Sequence, residues 1–321
     1  MTLGDAAEFL AADIGGTHAR IARVQLQGGR IRVLEQRVIP VADSRSLAAL
    51  LDDRPASIRI AAIAVAGVVS DNGDVLSRNL PWPVSAARVA QEAGLEHVGL
   101  VNDFEAVAHA IPHLRPESLT HVCGPRDAIV KTAIALGPGT CMGTAIRFDD
   151  GSVMPSEAGH ASLAPGTPRE CDLVRWLLEH RDHVDNGRVL SGPGLLEAYR
   201  GLCALDGAAT IHATPADVVA AAGKGSDALA LEAVEVFCAM LGAFAGDLVA
   251  TFHAGGVYLA GGVAAHVKAF LSMGGFEQRF IDKGVLRPMM ERVPVRLVED
   301  PHLGVIGAAA WYLGRHDNRS K

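Results

Sequence analysis

A short segment near the start of the chain, Asp13-Ile14-Gly15-Gly16-Thr17, joins a carboxylate, two glycines and a hydroxyl at the end of a predicted strand. Glycines let main-chain N–H groups approach anionic oxygens with no Cβ in the way, and the carboxylate is able to hold a hydrated cation. These residues predict a phosphate-binding loop, although an ordinary tight hairpin uses the same residue types. A dinucleotide-binding turn would need G-x-G-x-x-G followed by a helix, whereas residues 19–24 are typical of a strand.

Two later glycine turns have a similar character. Gly137-Pro138-Gly139-Thr140 lies between two predicted strands, where it would approach the same phosphates from the opposite side, but alone it is also a plain turn. Gly261-Gly262 lies between a strand and a helix. The missing side chains there leave room for a flat purine, and a simple strand-to-helix turn is the competing interpretation.

Two polar groups are candidates for the chemistry itself. Asn102-Asp103 follows an apolar strand and opens a helix, so the carboxylate would face the crevice in which open α/β sheets bind ligands; helix capping is the competing role, and one residue can do both. In residues 157–160, Glu157 offers an acceptor beside the imidazole of His160, which can donate, and such a pair suits sugar hydroxyls; a pair of solvated loop residues is the alternative. One Glu and one His are too few ligands for a protein-bound metal, so none is expected here.

The elements that must position these residues follow from hydrophobic patterning. Three strands at 9–14, 19–26 and 30–41 are joined by short turns, which implies an antiparallel meander. A second block, from residue 132 to 148, repeats a strand, a glycine turn and a strand, so we consider an internal duplication. The other predicted elements are helices at 44–53, 84–93, 103–110, 226–252, 263–271 and 304–313, and strands at 58–66, 98–101, 257–260 and 294–299.

Composition excludes several classes of protein. The chain has 321 residues, 35 glycines, 5% aromatic residues and a formal net charge of −7, which suits an α/β protein and argues against a nucleic-acid binder. No secretion signal is evident, and no apolar run of about 18 residues lacks glycine or charge, so no membrane span is expected. Five widely spaced cysteines indicate free thiols in a reducing cytoplasm.

The order of these motifs resembles that of the bacterial ATP-dependent glucokinase family. The segments that carry the resemblance are 10–24, 101–112, 135–145, 156–165, 188–200 and 257–263. The resemblance implies a two-domain α/β fold of the actin-like, ribonuclease-H-like type, with a sugar held in an interdomain cleft. The expected domains are residues 1–111 with 303–321, the closing helix returning to the first domain, and residues 112–302.

The resemblance also implies residue roles. Asp103 matches the catalytic base of the family, which would transfer a phosphoryl group from ATP, with Mg²⁺, to D-glucose to form glucose 6-phosphate in glycolysis. It further implies a cytoplasmic homodimer without nucleic-acid or membrane partners; the helix at 226–252 could supply its apolar face. The matching hexose-binding residues are Asn79, Asn102, Asp103, Glu157 and His160, and the matching nucleotide-binding residues are Asp13, Gly15, Gly16, Thr17, Gly137, Pro138, Gly139, Thr140, Gly261 and Gly262.

The sequence departs from the family pattern in places that bear on specificity. Gly187 stands where a glutamate usually contacts the sugar, and the nearby Asp185 or Asn186 cannot be assumed to replace it. Cys141 and Met142 stand where glycine and leucine are usual, and Ala158 where glycine is commoner. The departures leave two alternatives open, which are a kinase for another hexose or an amino sugar and a sugar-binding regulatory protein with weakened catalysis.

Overall fold

A computed structural model of the chain describes residues 7–77 and 80–317. Its strands are β1 Glu8–Ile14, β2 His18–Gln27, β3 Arg30–Pro40, β4 Ile60–Val65, β5 Val68–Val69, β6 Asp74–Leu76, β7 Val84–Ser85, β8 His97–Asn102, β9 Leu119–Cys123, β10 Ala133–Pro138, β11 Met142–Arg147, β12 Val153–Ser156, β13 Gly256–Leu259 and β14 Val295–Val298. Its helices are α1 Leu47–Leu50, α2 Ala86–Ala93, α3 Asp103–Ala110, α4 Pro168–His180, α5 Gly192–Leu205, α6 Pro215–Lys224, α7 Ala228–Phe252, α8 Gly262–His266, α9 Lys268–Leu271, α10 Gly275–Ile281, α11 Arg287–Met290 and α12 Leu303–Asp317.

The chain divides into two compact units. The first contains the described residues up to Pro116 and those from Asp300 onward, and the second is Glu117–Glu299. The closing helix α12 therefore belongs to the first unit, where it packs on β1, β4 and α3.

The first unit is built on a five-stranded sheet in the order β3-β2-β1-β4-β8. The predicted antiparallel meander is confirmed, because β1 pairs with β2 and β2 with β3 in antiparallel fashion, while β4 and β8 continue the sheet parallel to β1. The side chains of β1 alternate between the two faces of the sheet. Phe9 and Ala11 pack with α12 on one face. Leu10, Ala12 and Ile14 pack with α1 and α2 on the other. Burial on both faces explains the almost wholly apolar sequence of β4. Strands β5, β6 and β7 form a separate small sheet.

The second unit repeats this plan. Its sheet has the order β12-β11-β10-β13-β14-β9, in which β10, β11 and β12 form an antiparallel meander and β13 and β14 continue parallel to β10. The turn between the first two strands carries glycine in both sheets. The shared strand order supports the internal duplication suggested by the sequence.

The long helix α7 is a core element of the second unit. Among the described residues it is the one helix long and apolar enough to cross a membrane, and 61% of its most apolar window is buried inside the protein. Gly242 and Gly246 let α10 approach closely, since a Cβ at either position would press on a backbone oxygen of α10. Most of the apolar surface of α7 is thus covered within its own unit, so the expected use of this helix as the dimer face is not supported.

Several predicted elements differ in extent. The helix expected at 44–53 is reduced to α1, which Ser46 caps through the N–H of Ala49. Val84 and Ser85 pair with β6, so α2 begins two residues later than predicted. The helix expected at 263–271 is divided at Val267 into α8 and α9.

Candidate active site

The loop after β1 presents its backbone to solvent. The N–H of Gly15 donates to the carbonyl of His18 at 3.1 Å, which closes the turn, and the carbonyl of Thr17 accepts from the N–H of Val41 at 2.9 Å. Gly16 and Thr17 are exposed. The loop is therefore held at both ends and open at its tip, as a site for an anionic ligand requires.

Asp13 lies directly before this loop and is largely buried. It faces Arg20 across the β1–β2 pair, and the Nη1 atom of Arg20 is 3.6 Å from its Oδ2. Burial raises the pKa of the Asp13 carboxyl above 3.8, and the positive charge of Arg20 opposes that rise. The first turn of α12 also lies against it, since a Cβ at Gly304 would overlap with the carboxyl group.

Asn102 and Asp103 lie at the junction of β8 and α3, as predicted. The side-chain oxygen of Asn102 accepts from the N–H groups of Phe104 at 2.9 Å and Glu105 at 3.0 Å, so Asn102 is the helix cap. Its Nδ2 donates to the carbonyl of Gly67 at 3.0 Å. Asp103 is the first helical residue, where the N-terminal end of the helix favours a negative charge.

The sheet register places Asp13 with its glycine loop and the Asn102-Asp103 pair at the same edge of the first sheet. Ile14 at the end of β1 is the register partner of Val65 in β4, and Val65 is the partner of Asn102 in β8. Because all three strands are parallel, their carboxyl ends lie side by side, with the Gly15 loop and Asp103 immediately beyond them. Asn79, predicted to contact the sugar, lies outside the described residues.

Helix α12 holds this edge together. Its Gly307 packs so closely on the backbone of Ala106 in α3 that a Cβ there would overlap with the Ala106 carbonyl. Burial raises the pKa of the Glu105 carboxyl in α3, and this rise is opposed by the charge of Arg315 and by a hydrogen bond with Trp311, both in α12. The same helix thus contacts Asp13 through its first turn and α3 along its length.

Three glycine-containing segments converge in the second unit. The N–H of Gly139 donates to the carbonyl of Cys141 at 2.8 Å, which closes the β10–β11 turn. The N–H of Gly192, at the start of α5, donates to the carbonyl of Gly139 at 2.8 Å. Gly261 has a φ of +93°, and a Cβ there would be 2.9 Å from the carbonyl oxygen of Pro138. The turns at 137–140 and 261–262 are therefore brought together, and the amino end of α5 joins them.

The role of the stretch from Arg188 to Gly194 was not evident from the sequence. Ser191 caps α5 by accepting from the N–H of Gly194 at 3.0 Å, and its hydroxyl donates to the carbonyl of Gly187 at 2.7 Å. A Cβ at Gly194 would be 2.8 Å from the backbone of Arg188, so glycine permits this tight entry into the helix. Serine followed by Gly-Pro is a capping signal, but nothing local shows that it leads to the Gly139 loop.

Met142 and Cys141 differ in environment. The Met142 side chain is 6% exposed and belongs to the hydrophobic core, whereas Cys141 is exposed beside the loop. Of the two departures from the family pattern in this turn, the side chain of Met142 is therefore turned into the core, whereas Cys141 is open to solvent. The backbone of Met142 instead packs on Gly159, where a Cβ would overlap with its carbonyl.

Glu157 and His160 form a polar pair as predicted, together with a third residue. The Nε2 of His160 lies 3.9 Å from Oε2 of Glu157, and its Nδ1 lies 3.1 Å from Oδ2 of Asp185. Both predicted residues are exposed, whereas the Asp185 side chain is only 13% exposed. The buried side chain of Asn186 donates to the carbonyls of Ala158 and Ala161, each at 3.1 Å, and so fixes the segment between them.

Comparison with known proteins identifies the family. A family model described as Glucokinase matches residues 10–315. The chain belongs to the glucokinase family. It is 41% identical over 317 residues to a glucokinase-like protein of Xylella fastidiosa (96% of this chain and 95% of that protein), and 36% identical over 322 residues to a glucokinase of Zymomonas mobilis (96% and 98%). A crystal structure of glucokinase from an Antarctic psychrotroph superimposes with a TM-score of 0.83 at 31% identity, covering 95% of this chain and 98% of that one.

Membership of the glucokinase family confirms two predictions. The fold is the two-domain, actin-like α/β fold expected from the resemblance. The protein is a kinase, and hence a transferase enzyme. In the repeated sheet plan of this chain, the glycine turn between the first two strands occupies equivalent positions in the two units.

Proposed function

We propose that this member of the glucokinase family phosphorylates D-glucose, with ATP as the phosphoryl donor, and that Asp103 accepts the proton of the attacking hydroxyl. The observation that carries the proposal is the position of Asp103 at the first turn of α3, held there by the Asn102 cap. The backbone here is fixed because Asn102 is bonded both to the helix and to the carbonyl of Gly67, and Oδ1 of Asp103 accepts from the N–H of Phe104 at 2.9 Å. A fixed base within reach of a hydroxyl typically accelerates its reaction by about 10² to 10⁴-fold.

The glycine turns are assigned to the nucleotide. In the first unit these are Gly15, Gly16 and Thr17, whose loop is open at its tip. In the second unit Gly137 to Thr140 and Gly261 with Gly262 converge beside the amino end of α5. A Cβ at Gly262 would meet no atom within 4 Å, so the backbone there is open to a flat ring.

Magnesium fits this arrangement as a companion of the nucleotide. Within residues 7–77 and 80–317 no cluster of three His, Cys, Asp or Glu side chains is arranged to hold a metal ion. Mg²⁺ needs only one or two carboxylates when phosphate oxygens and water complete its shell, and Asp13 would supply one. When bound, the ion would neutralise charge on the phosphates.

The sugar contacts are assigned to Asn102, Glu157 and His160, with Asn79 added from the family pattern. The carboxylate of Glu157 and the imidazole of His160 are exposed and lie 3.9 Å apart, a separation that lets each bond a different hydroxyl of one sugar. With the hydroxyl and the phosphate positioned, orientation and electrostatics supply most of the acceleration.

The test compares Asp103→Asn with a matched control, Asp71→Asn, an exposed carboxylate in the turn between β5 and β6. We expect Asp103→Asn to lower kcat for glucose phosphorylation by about 10² to 10⁴-fold, with unchanged ATP binding and only the small loss of thermal stability that follows from removing a negative charge at the helix N-terminus. Asp71→Asn should turn over at the wild-type rate. Near-normal turnover by the Asp103 variant would show that Asp103 is not the general base.

A different hexose is the second candidate substrate, and Gly187 favours it. A Cβ at Gly187 would lie at ordinary contact distances, 3.4 Å from Asp185 and 3.7 Å from the carbonyl of Gly159, so a side chain would fit there, and the glycine removes the glutamate contact to the sugar that is usual in the family. A panel of glucose, mannose, glucosamine and N-acetylglucosamine, read by coupled ADP release, decides between them. Clear preference for glucose would reject this candidate.

The alternative of a sugar-binding regulatory protein with weakened catalysis loses part of its support, because Met142 lies in the core rather than in the loop.

The proposal also includes location and assembly. We place the enzyme in the cytoplasm and in glycolysis, where its five free thiols would remain reduced. A homodimer remains part of the proposal, to be tested by sedimentation, with a face other than α7.

A further inference from the structure

Asp185 is the residue of the sugar-binding segment to which neither the sequence nor the proposed function gives a role. Its Oδ2 lies 3.1 Å from Nδ1 of His160. Its Oδ1 accepts from the N–H of Arg188 at 3.0 Å. The two oxygens of one carboxylate therefore join the imidazole to the backbone of the turn that leads into α5.

The Asp185 carboxylate is rigid because its backbone is fixed as well. Asp185 forms an antiparallel bridge with Ser162. On either side of it, the N–H of Leu163 donates to the carbonyl of Val184 at 3.0 Å, and the N–H of Asn186 donates to the carbonyl of Ala161 at 2.9 Å. The side chain is 13% exposed, against 62% for Glu157. Of the two carboxylates near His160, Asp185 is thus the fixed one.

A carboxylate facing Nδ1 determines which ring nitrogen carries the proton. An ionised carboxylate only accepts hydrogen bonds, so the Nδ1 opposite it must donate. In the neutral ring the proton then resides on Nδ1, and Nε2 keeps its lone pair. The Nε2 atom lies on the side of Glu157, where the proposed function places the sugar.

We propose that Asp185 is a positioning residue for hexose binding, which holds the His160 ring in the Nδ1–H tautomer so that Nε2 accepts a hydrogen bond from a sugar hydroxyl. The inference rests on the proposed function. In this arrangement Glu157 and Nε2 of His160 are two acceptors, and the site selects sugars that offer two hydroxyl donors there. Asp185 acts on the sugar through His160 and does not contact it.

The substitution Asp185→Asn separates this role from a structural one. With its carbonyl oxygen kept on the Arg188 N–H, the amide group turns an N–H toward Nδ1 of His160. The reverse orientation would place the amide N–H of the asparagine opposite the backbone N–H of Arg188, and two donors cannot form a hydrogen bond with each other. The His160 ring must then accept at Nδ1 and carry its proton on Nε2. The variant therefore keeps the side-chain size at position 185 and the hydrogen bond to the Arg188 N–H, and it inverts the tautomer of His160.

Two measurements test the proposal. Nitrogen-15 chemical shifts of His160 at alkaline pH, without ligands, should show the Nδ1–H tautomer in the wild type and the Nε2–H tautomer in Asp185→Asn. In steady-state kinetics Asp185→Asn should raise KM for the hexose by about five- to tenfold, as expected for one lost hydrogen bond, and leave KM for ATP unchanged.

The control is a double-mutant cycle with His160→Gln. If Asp185 acts through the imidazole, Asp185→Asn adds no further rise in KM when His160 is already replaced. An equal rise in both backgrounds, an unchanged KM in the wild-type background, or an Nε2–H ring in the wild type would each overturn the proposal. Should the wild type phosphorylate no hexose, the proposed function fails, while the chemical shifts still decide the His160–Asp185 pairing.

Discussion

Gly304 lies against Asp13 so closely that any side chain at position 304 would overlap with the carboxyl group. The contact joins the last helix of the chain to the residue that precedes the first glycine loop. The first turn of α12 therefore covers one side of the Asp13 carboxyl group.

The first prediction tests this contact with Gly304→Ala. Overlap with Asp13 should destabilise the protein by about 1–3 kcal/mol, as overpacking does, and weaken ATP binding because the carboxylate is displaced. Thermal unfolding and nucleotide titration measure the two effects. Gly314→Ala is the matched control in the same helix, because a Cβ there meets no atom within 4 Å and should stabilise the helix by about 0.5–1 kcal/mol. Equal behaviour of the two variants would show that the contact is unimportant.

The second prediction concerns the two glycines near the Glu157–His160 pair. Gly159→Ala should lower the free energy of unfolding by about 1–3 kcal/mol, because its Cβ would overlap with the carbonyl of Met142. Gly187→Ala, whose Cβ would sit at ordinary contact distances of 3.4 and 3.7 Å, should change it by less than about 0.5 kcal/mol. Urea denaturation of both variants gives the comparison. A larger cost at position 187 than at 159 would contradict the packing described.

The third prediction concerns the turn before α8. Gly261→Ala forces a side chain into a φ of +93° and onto the carbonyl of Pro138, so we expect it to separate α8 from the Gly139 loop and to weaken ATP binding at least tenfold. Isothermal titration with a nonhydrolysable nucleotide measures this.

Gly207→Ala controls for backbone conformation alone. Its φ is +64°, and a Cβ there meets no atom within 4 Å, so this variant should lose about 1 kcal/mol of stability and bind nucleotide normally. Similar nucleotide affinities for the two variants would mean that the contact with Pro138 plays no part in binding.

The fourth prediction is a pH dependence. Burial raises the pKa of Asp13 above 3.8, so the folded protein holds the Asp13 proton more tightly than the unfolded chain does. The stability that this proton contributes is complete below the unfolded pKa and is lost as pH rises through the folded pKa. Asp13→Asn should therefore be more stable than the wild type at neutral pH, with the gain disappearing below pH 3.8.

Asp150→Asn should show the opposite slope. Hydrogen bonds from the hydroxyl and N–H of Ser152 lower the pKa of Asp150, so its contribution is present above 3.8 and is lost as pH falls. The variant should be less stable than the wild type at neutral pH and equal to it in acid. Thermal midpoints of the three proteins across pH provide the measurement, and slopes of the same sign for both variants would contradict the assignment.

Local patterning was enough for much of the fold. Helix α3 has the bounds Asp103–Ala110 that its sequence predicts, because Asn102 is a strong cap and residues 98–101 of the preceding strand are apolar. The meander of the first unit followed from short glycine turns. The small strand β7 and the division of α8 from α9 were not predicted, because each depends on neighbours that are distant in sequence or on a local change of backbone direction at Val267.

The candidate site divides in the same way. By itself, the sequence determined which residues carry glycine turns, carboxylates and imidazole, and that the chain resembles the glucokinase family, since residue type, capping and periodicity are properties of neighbours along the chain. Only the tertiary structure decided that Gly192 bonds Gly139, that Gly304 packs on Asp13 and that Asp185 orients His160. Each of these contacts joins segments brought together by core packing, and packing depends on shape and volume across the whole unit rather than on any short stretch of residues.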